Sequence, residues 1–256
     1  MSFPSVIYGK EGDEKAVAAS AIGGLPLGQK MVFSDGREFV HGRGGGTAIV
    51  AGKLYQGVDL SDTAAIATLV CATAAIGATT LTVTAGGTAI TANLYQNGFV
   101  VTASSVGAGI GFTHKIASNN SCGAGSTCLV VLKSTDPIVV ATEGGTTTVG
   151  IAKNPYSGCL LTTGDTAGVN LIAGVACASA AASSYVWFLR RGPIGVFTDA
   201  TVGVGGLSAI CSSTVAGAVG DGNTAGTATA KALTKIGTYI SPAASAQFST
   251  VNMELP

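Results

Sequence analysis

The stretch GGTAIVAGKLYQ at residues 45–56 returns as GGTAITANLYQ at residues 86–96, and a glycine follows each copy, Gly57 or Gly98. A looser version, GGTTTVGIAKNPYSG, occupies residues 144–158. Paired glycines allow a tight turn, and the β-branched residues behind them favour an extended, half-buried strand. The repeated stretch therefore predicts a turn that leads into a strand. Two full copies are too few for a solenoid.

The two copies differ by one residue between the isoleucine and the leucine. Ile90 and Leu94 are an even number of residues apart and would share one face of a strand. Ile49 and Leu54 are an odd number apart and would point to opposite faces. A β-bulge at Gly52 would return both to one face, so we expect a bulge there.

The rest of the chain alternates short apolar runs with turn signals and has almost no helical periodicity. Asp35-Gly36 lies between two apolar runs, Thr80–Thr84 alternates strictly, and Phe248–Leu255 has the pattern of a closing strand. Many short strands at roughly ten-residue spacing predict an all-β fold, an antiparallel β-sandwich or barrel with a jelly-roll-like outline.

The domain organisation is predicted from where this pattern starts. Residues 1–30 have no clear period and hold most of the early charge, so we expect an extended N-terminal arm. Residues 31–256 are expected to form the all-β domain, with a candidate subdivision near residues 158–170. A chain of 256 residues is long enough for a substantial core.

Composition narrows the classes of function. The chain has 13 basic and 13 acidic residues, so it offers no net field for nucleic acid or anionic lipid. Its best apolar segment, Ala64–Ala78, is too short to cross a bilayer. Charges at Lys10, Glu11 and nearby positions argue against a secretion signal, so we expect assembly in the cytoplasm. With only 10% charged residues, the surface is expected to be partly covered by neighbouring subunits.

No motif of catalytic or metal chemistry stands out. His41 and His114 lie in strand-like contexts, outside any paired spacing used by metal sites. The serines lack a nucleophile elbow, and the acidic residues read as exposed clusters or turn positions. We therefore predict that the chain is not an enzyme and has no catalytic, cofactor or metal site.

Six cysteines occur without a CxxC motif. Cys122 and Cys128 bracket a loop of small residues, and a disulfide between them could staple a hairpin tip, whereas a cytoplasmic origin favours thiols. The other four are expected to be small core residues: Cys71, Cys159, Cys177 and Cys211.

The segment YVWFLRR, Tyr185–Arg191, contains the only tryptophan. Trp187 could anchor an interface, because Trp, Tyr and Arg dominate binding hot spots. The alternative is an aromatic strand that fills the core, with Arg190 and Arg191 at its exit.

Several stretches together resemble virion proteins of tailed phages, of the capsid decoration, cement or head-fibre type. The resemblance covers about two thirds of the chain as a pattern of glycines, turns and aromatic residues, and it extends weakly through YVWFLRRG. It rests on YGKEG (8–12), LGQKMVFSDGREFVHGRGGGTAIVAGKLYQ (27–56), TAITANLYQNGFVV (88–101) and KNPYSG (153–158).

The resemblance implies an all-β protein, often trimeric, that binds a capsid lattice between capsomers. On this expectation the partners are the major capsid protein and further copies of the chain, and the location is the capsid surface of the virion. Tyr8, Lys10 and Glu11, in the expected arm, become candidate interface residues. The rival expectation is a receptor- or carbohydrate-binding fibre or tail module, and a capsule-degrading lyase is a third.

Overall fold

In a computed structural model of the chain, the expected all-β fold is confirmed. The structure describes residues 6–57, 69–104, 111–162, 171–199, 205–212, 214–221 and 235–256. These residues form seventeen strands and two short 3₁₀ helices, Asp13–Lys15 and Ile22–Gly24.

The strands are numbered in chain order. They are β1 (Val6–Tyr8), β2 (Lys30–Val32), β3 (Glu38–Gly44), β4 (Leu54–Gln56), β5 (Leu69–Val70), β6 (Thr80–Thr84), β7 (Phe99–Ser104), β8 (Thr113–Asn119), β9 (Thr127–Leu132), β10 (Thr148–Ala152), β11 (Ser157–Leu161), β12 (Ile172–Ala176), β13 (Tyr185–Phe197), β14 (Ser208–Cys211), β15 (Val219–Asp221), β16 (Lys235–Tyr239) and β17 (Phe248–Glu254).

The chain divides into two compact units. Unit 1 comprises Met1–Val58 and Pro155–Pro256, and unit 2 comprises Asp59–Asn154. The predicted domain over residues 31–256 does not coincide with these units. Within the predicted subdivision near 158–170, residues 163–170 lie outside the described part of the chain.

Unit 1 contains two closed rings of strands. The first runs β3–β11–β4–β12–β13 and returns to β3, with only the β3–β11 pair parallel. The second half of β13 continues into β17, β16, β14 and β15, and a bridge between Thr198 and Val219 closes that ring. The long strand β13 therefore belongs to both rings.

Alternate side chains of β13 belong to two different cores. Val186 and Phe188 join the cluster enclosed by the first ring. Trp187 and Leu189 join the larger cluster, which also fills the second ring. Because successive side chains of a strand point to opposite faces, one aromatic strand serves both cores.

Residues 6–30, predicted as an extended arm, cover the outside of the first ring. Ile22 and Leu25 pack against the core that contains Trp187. Gly28 donates from its backbone N–H to the His41 carbonyl, 2.8 Å away, and Ala18 pairs with Tyr185. The segment is thus part of unit 1, because it removes from water the face on which Trp187 and His41 lie.

Unit 2 is a six-stranded sheet in the order β5–β10–β7–β8–β9–β6. A bridge between Cys71, just after β5, and Val83 in β6 joins its two ends. The strict alternation of β6 places Leu81 and Val83 in the core and leaves Thr80 and Thr84 exposed, as the sequence predicts.

The expected bulge at Gly52 is wrong, because residues 45–56 are not a single strand. Gly52 lies in a turn with φ of 73°, between an isolated bridge at Ile49 and strand β4. Ile49 joins the core of the first ring, whereas Leu54 joins the larger core. The turn, and not a bulge, absorbs the extra residue.

Candidate interaction surface

Tyr8 lies on β1, the edge strand of the described sheet of unit 1, and is 86% exposed. Its neighbour Ile7 turns inward and packs against the larger core. Strand β1 runs parallel to β2, with Tyr8 opposite Val32. The contact between Ile7 and the core therefore anchors β1, and the ring of the next residue, Tyr8, extends into solvent.

Strand register extends Tyr8 into a row across four neighbouring strands. Tyr8 pairs with Val32, Val32 pairs with Glu38, and Glu38 pairs with Arg191. Paired residues point to the same face of a sheet, and strands are spaced about 4.8 Å apart, so the row spans roughly 14 Å. We call these four residues the cross-strand row.

Glu38 holds the charged end of the row in place. Its carboxylate lies 2.6 Å from the Lys30 ammonium and 3.5 Å from the Arg191 guanidinium. The hydrogen bond from Lys30, followed by the positive charges of Lys30 and Arg191, holds the pKa of Glu38 below its usual value. The Arg191 side chain itself is 63% exposed.

Glu11 belongs to a second charged cluster, at the hairpin between β2 and β3. Its carboxylate is 3.6 Å from Arg37, which also lies 2.6 Å from Asp35 and 5.0 Å from the centre of the Phe33 ring. Hydrogen bonds from the Arg37 backbone and side chain lower the pKa of Asp35. Lys10 is exposed, and its backbone N–H donates to Asp13. The predicted interface residues Tyr8, Lys10 and Glu11 are thus all at the surface.

Arg190 is hydrogen-bonded within unit 1, and Trp187 is buried. Arg190 donates to the Tyr156 hydroxyl at 2.9 Å, to the Ile172 carbonyl at 3.2 Å and to the Pro256 carbonyl. Trp187 is only 3% exposed, so it fills the core, as the second sequence interpretation proposed. Of the residues in YVWFLRR, Arg191 alone joins the row.

Cys122 and Cys128 are thiols in the structure, as are the other four cysteines. Cys128 is buried and Cys122 is half-buried. Burial, together with a hydrogen bond to Cys122 and the charge that Cys122 can carry, raises the pKa of Cys128 to about 12. Cys128 belongs to the core of unit 2 and Cys122 packs against that core, and no disulfide joins the two.

Both histidines are buried. His41 contacts the Pro26 carbonyl through Nδ1 at 3.2 Å, and its Nε2 has no hydrogen-bond partner. Burial lowers the pKa of His41. His114 Nδ1 lies 3.3 Å from Asp136. Within the described ranges, no group of three or more histidine, cysteine, aspartate or glutamate side chains is placed to hold a metal ion.

In the same ranges, no helix has both the length and the apolar character to cross a membrane. The sequence predicted only two members of the cross-strand row, Tyr8 and Arg191, and did not indicate Val32 or Glu38.

Comparison of the chain with protein-family models, with curated proteins and with solved structures finds no match in any of the three.

Proposed function

We propose that this chain is a structural virion protein that decorates and stabilises a phage capsid. In this role it binds the major capsid protein between capsomers, as a homotrimer on the capsid surface, after assembly in the host cytoplasm, and it performs no catalysis. The observation that carries the proposal is the cross-strand row, in which a tyrosine exposed by 86% lies on an edge strand.

The chemistry of the row is that of a binding surface. Tyr and Arg are enriched at interface hot spots, and here they flank Val32, which is half-buried. Lys30 and Arg191 hold the Glu38 carboxylate between them, so the polar end is ordered before a partner arrives. Side chains on strands lose less freedom on binding than side chains on loops, which supports affinity.

The edge of β1 adds a second mode of contact. In the described sheet β1 has a partner strand on one side only, β2. The outer N–H and C=O groups of such a strand can pair with a strand of another chain. Many weak copies of such a contact on one lattice would give strong overall attachment.

The test is binding to capsids that lack the protein, measured by co-sedimentation. Tyr8→Ala and Arg191→Ala are each expected to weaken binding about tenfold or more, since hot-spot truncations cost at least about 1.4 kcal/mol. Ile240→Ala, which removes another exposed apolar side chain of unit 1, is the matched control and should bind normally. Normal binding by Tyr8→Ala, with an unchanged unfolding midpoint, would contradict the proposed surface.

Deletion of residues 1–30 is a poor test of the same surface. That deletion also removes Ile22 and Leu25 from the core and the backbone bond between Gly28 and His41. Lost binding could then reflect an unfolded unit 1, whereas the single substitutions leave these contacts in place.

The rival function is a receptor- or carbohydrate-binding fibre or tail module. Imaging of particles with and without the protein distinguishes the two, because a cement is present in hundreds of copies over the shell. A few copies confined to one vertex or to the tail would replace the decoration proposal with the fibre one.

A further inference from the structure

Two lysines of unit 2 face each other across the neighbouring strands β8 and β9. Ile116 in β8 pairs with Leu132 in β9. One residue further along, the Lys133 N–H donates to the Lys115 carbonyl at 2.8 Å, so antiparallel register places these two lysines opposite each other. Opposed residues point to the same face of a sheet, with their Cβ atoms about 5 Å apart. Because Ile116 and Leu132 are buried, the adjacent lysines point away from the core.

An aromatic ring lies beneath one of the two ammonium groups. Phe99 in β7 pairs with Lys115, and the Lys115 ammonium lies 4.5 Å from the centre of the Phe99 ring. The face of an aromatic ring attracts a cation, so this contact favours one position of the Lys115 side chain. Phe99, Lys115 and Lys133 are all half-buried. The pair of lysines therefore lies on an ordered sheet surface and not on a loop.

In the part of the chain that the structure describes, neither Lys115 nor Lys133 forms an ion pair. The nearby acid, Asp136, accepts from the Lys115 backbone N–H at 2.6 Å and lies 3.3 Å from Nδ1 of His114. Burial, followed by the charge of Lys133, lowers the pKa of Lys115. Like charges directly opposite each other destabilise a sheet, and a bound anion would offset that cost.

We propose that Lys115 and Lys133 form a binding site for a phosphate group, which both ammonium groups contact. An ammonium group donates hydrogen bonds and accepts none, so two of them converge on an acceptor-only ligand. Their bonds to phosphate oxygens are charge-assisted and therefore strong. A phosphate monoester carries about 1.5 to 2 negative charges near pH 7, so it balances two lysines more completely than a single carboxylate does.

The test is a titration of the full chain with inorganic phosphate at constant ionic strength, followed by amide chemical shifts. Saturable shifts are expected at Lys115 and Lys133. Lys115→Gln and Lys133→Gln should each weaken binding about tenfold, because each loses a charge-assisted hydrogen bond. Lys53→Gln in unit 1 is the matched control and should bind normally. The Lys53 ammonium also lies over a ring, 5.0 Å from the centre of Phe197, but its carbonyl accepts from Ala176 and not from a second lysine.

A phosphoserine peptide is the second probe, and it distinguishes two sources of the phosphate group. Tighter binding of the peptide than of inorganic phosphate would assign the site to a phosphorylated partner. Equal binding would assign it to the free ion. Both results support a phosphate site at the two lysines.

Two results would overturn the proposal. One is a parent chain whose Lys115 and Lys133 amides respond to phosphate no more than to sodium chloride. The other is a polyglutamate peptide that binds as tightly as phosphate, which would assign the lysines to carboxylates. Should a variant fail to fold, the parent chain gives a second measurement. Phosphate should slow hydrogen exchange in unit 2, since a ligand of the folded state stabilises it, and unchanged exchange would also contradict the site. The site and its test do not depend on the proposed capsid role.

Discussion

The two copies of GGTAI lie in different units and fold alike for five residues before they part. In both copies the isoleucine makes an isolated bridge, Ile49 to Ala180 in unit 1 and Ile90 to Cys122 in unit 2. Both isoleucines are buried, and the four residues before each one have the same pattern of exposure. The difference begins only after the bridge.

In unit 1 the chain turns at Gly52 and continues as β4, so LYQ is a buried strand. In unit 2 residues 92–97 form turns, Asn93 and Asn97 have positive φ, and only Tyr95 of the second LYQ is buried. The copies converge again at the terminal glycine, where a main-chain carbonyl packs against Gly57 or Gly98. A short repeated sequence thus specifies its own turn and its tight contacts, while the strand between them depends on available partners.

The largest effect is expected at the terminal glycines. A Cβ on Gly98 would lie 2.1 Å from the Ala152 carbonyl oxygen, and a Cβ on Gly57 would lie 2.4 Å from that of Pro155. Since backbone cannot move aside cheaply, each alanine substitution should destabilise its own unit by about 3 kcal/mol. Denaturant unfolding followed by Trp187 fluorescence reports on unit 1, and hydrogen exchange of residues 69–104 reports on unit 2.

The matched controls for these variants are Gly46→Ala and Gly87→Ala. Nothing lies within 4 Å of a Cβ built at either position, so both should stay within about 0.5 kcal/mol of the parent chain. Equal losses at the control and terminal glycines would mean that the close carbonyls do not explain the effect.

The next largest effect is expected for the second copy alone, in unit 2. In unit 2, Asn119 holds the second copy by accepting from the Tyr95 N–H at 2.9 Å and donating to the Thr91 and Asn120 carbonyls at 2.8 Å. Because Asn119 is buried, Asn119→Ala should destabilise unit 2 by about 2–3 kcal/mol. Asn119→Asp keeps the acceptor but turns a buried carboxylate oxygen toward the two carbonyls, so hydrogen exchange should show at least as large a loss as in the alanine variant. An alanine variant as stable as the parent would remove Asn119 from this role.

A smaller effect is expected for the first copy. The Tyr55 hydroxyl accepts from the Val50 N–H at 2.8 Å and so ties the strand LYQ back to the residue after the bridge. Tyr55→Phe removes that acceptor and should lower the unfolding free energy of unit 1 by about 1 kcal/mol. Amide exchange at Val50 should rise in this variant, and unchanged protection there would show that another group holds the N–H.

The smallest effect is a pH dependence of the stability of unit 1, and it is absent at neutral pH. Burial lowers the pKa of His41, so the unfolded chain takes up the proton first as pH falls below about 6.5. The stability of unit 1 is therefore complete above that pH and is lost as pH falls through the lowered pKa of His41. Trp187 fluorescence in denaturant at pH 8, 6 and 5 should show this slope, and His41→Gln should flatten it. An equal slope in both chains would assign it to other groups.

The sequence predicted the parts of the fold that depend on local pattern. Alternation placed β6 and β17, and Asp35-Gly36 marked the turn between β2 and β3, where Gly36 has φ of 86°. The sequence suggested a candidate subdivision near residues 158–170 but not the bounds of the two units, because strand pairs such as His41 with Trp187 join residues that are distant in sequence.

The same limit applies to the candidate surface. Tyr8 and Arg191 were candidates because of their residue types, but only strand register shows that Val32 and Glu38 lie between them. The burial of Trp187 depends on cover from residues 6–30, and no pattern within YVWFLRR indicates that cover. Long-range pairing therefore decides which aromatic residue is available to a partner.

The division of the chain also sets an order of folding during synthesis. Unit 2 is continuous in sequence, so all of its strands leave the ribosome before Pro155 does. Unit 1 needs β11 and β13 beside β3, and these strands are made only after unit 2 is finished. Until β11 and β13 are made, residues 6–57 lack these partner strands and expose apolar side chains. Chaperones or neighbouring chains could bind the exposed segment in that state. A slow codon stretch placed just after residue 154 would lengthen that wait and should increase aggregation, without any change in the protein sequence.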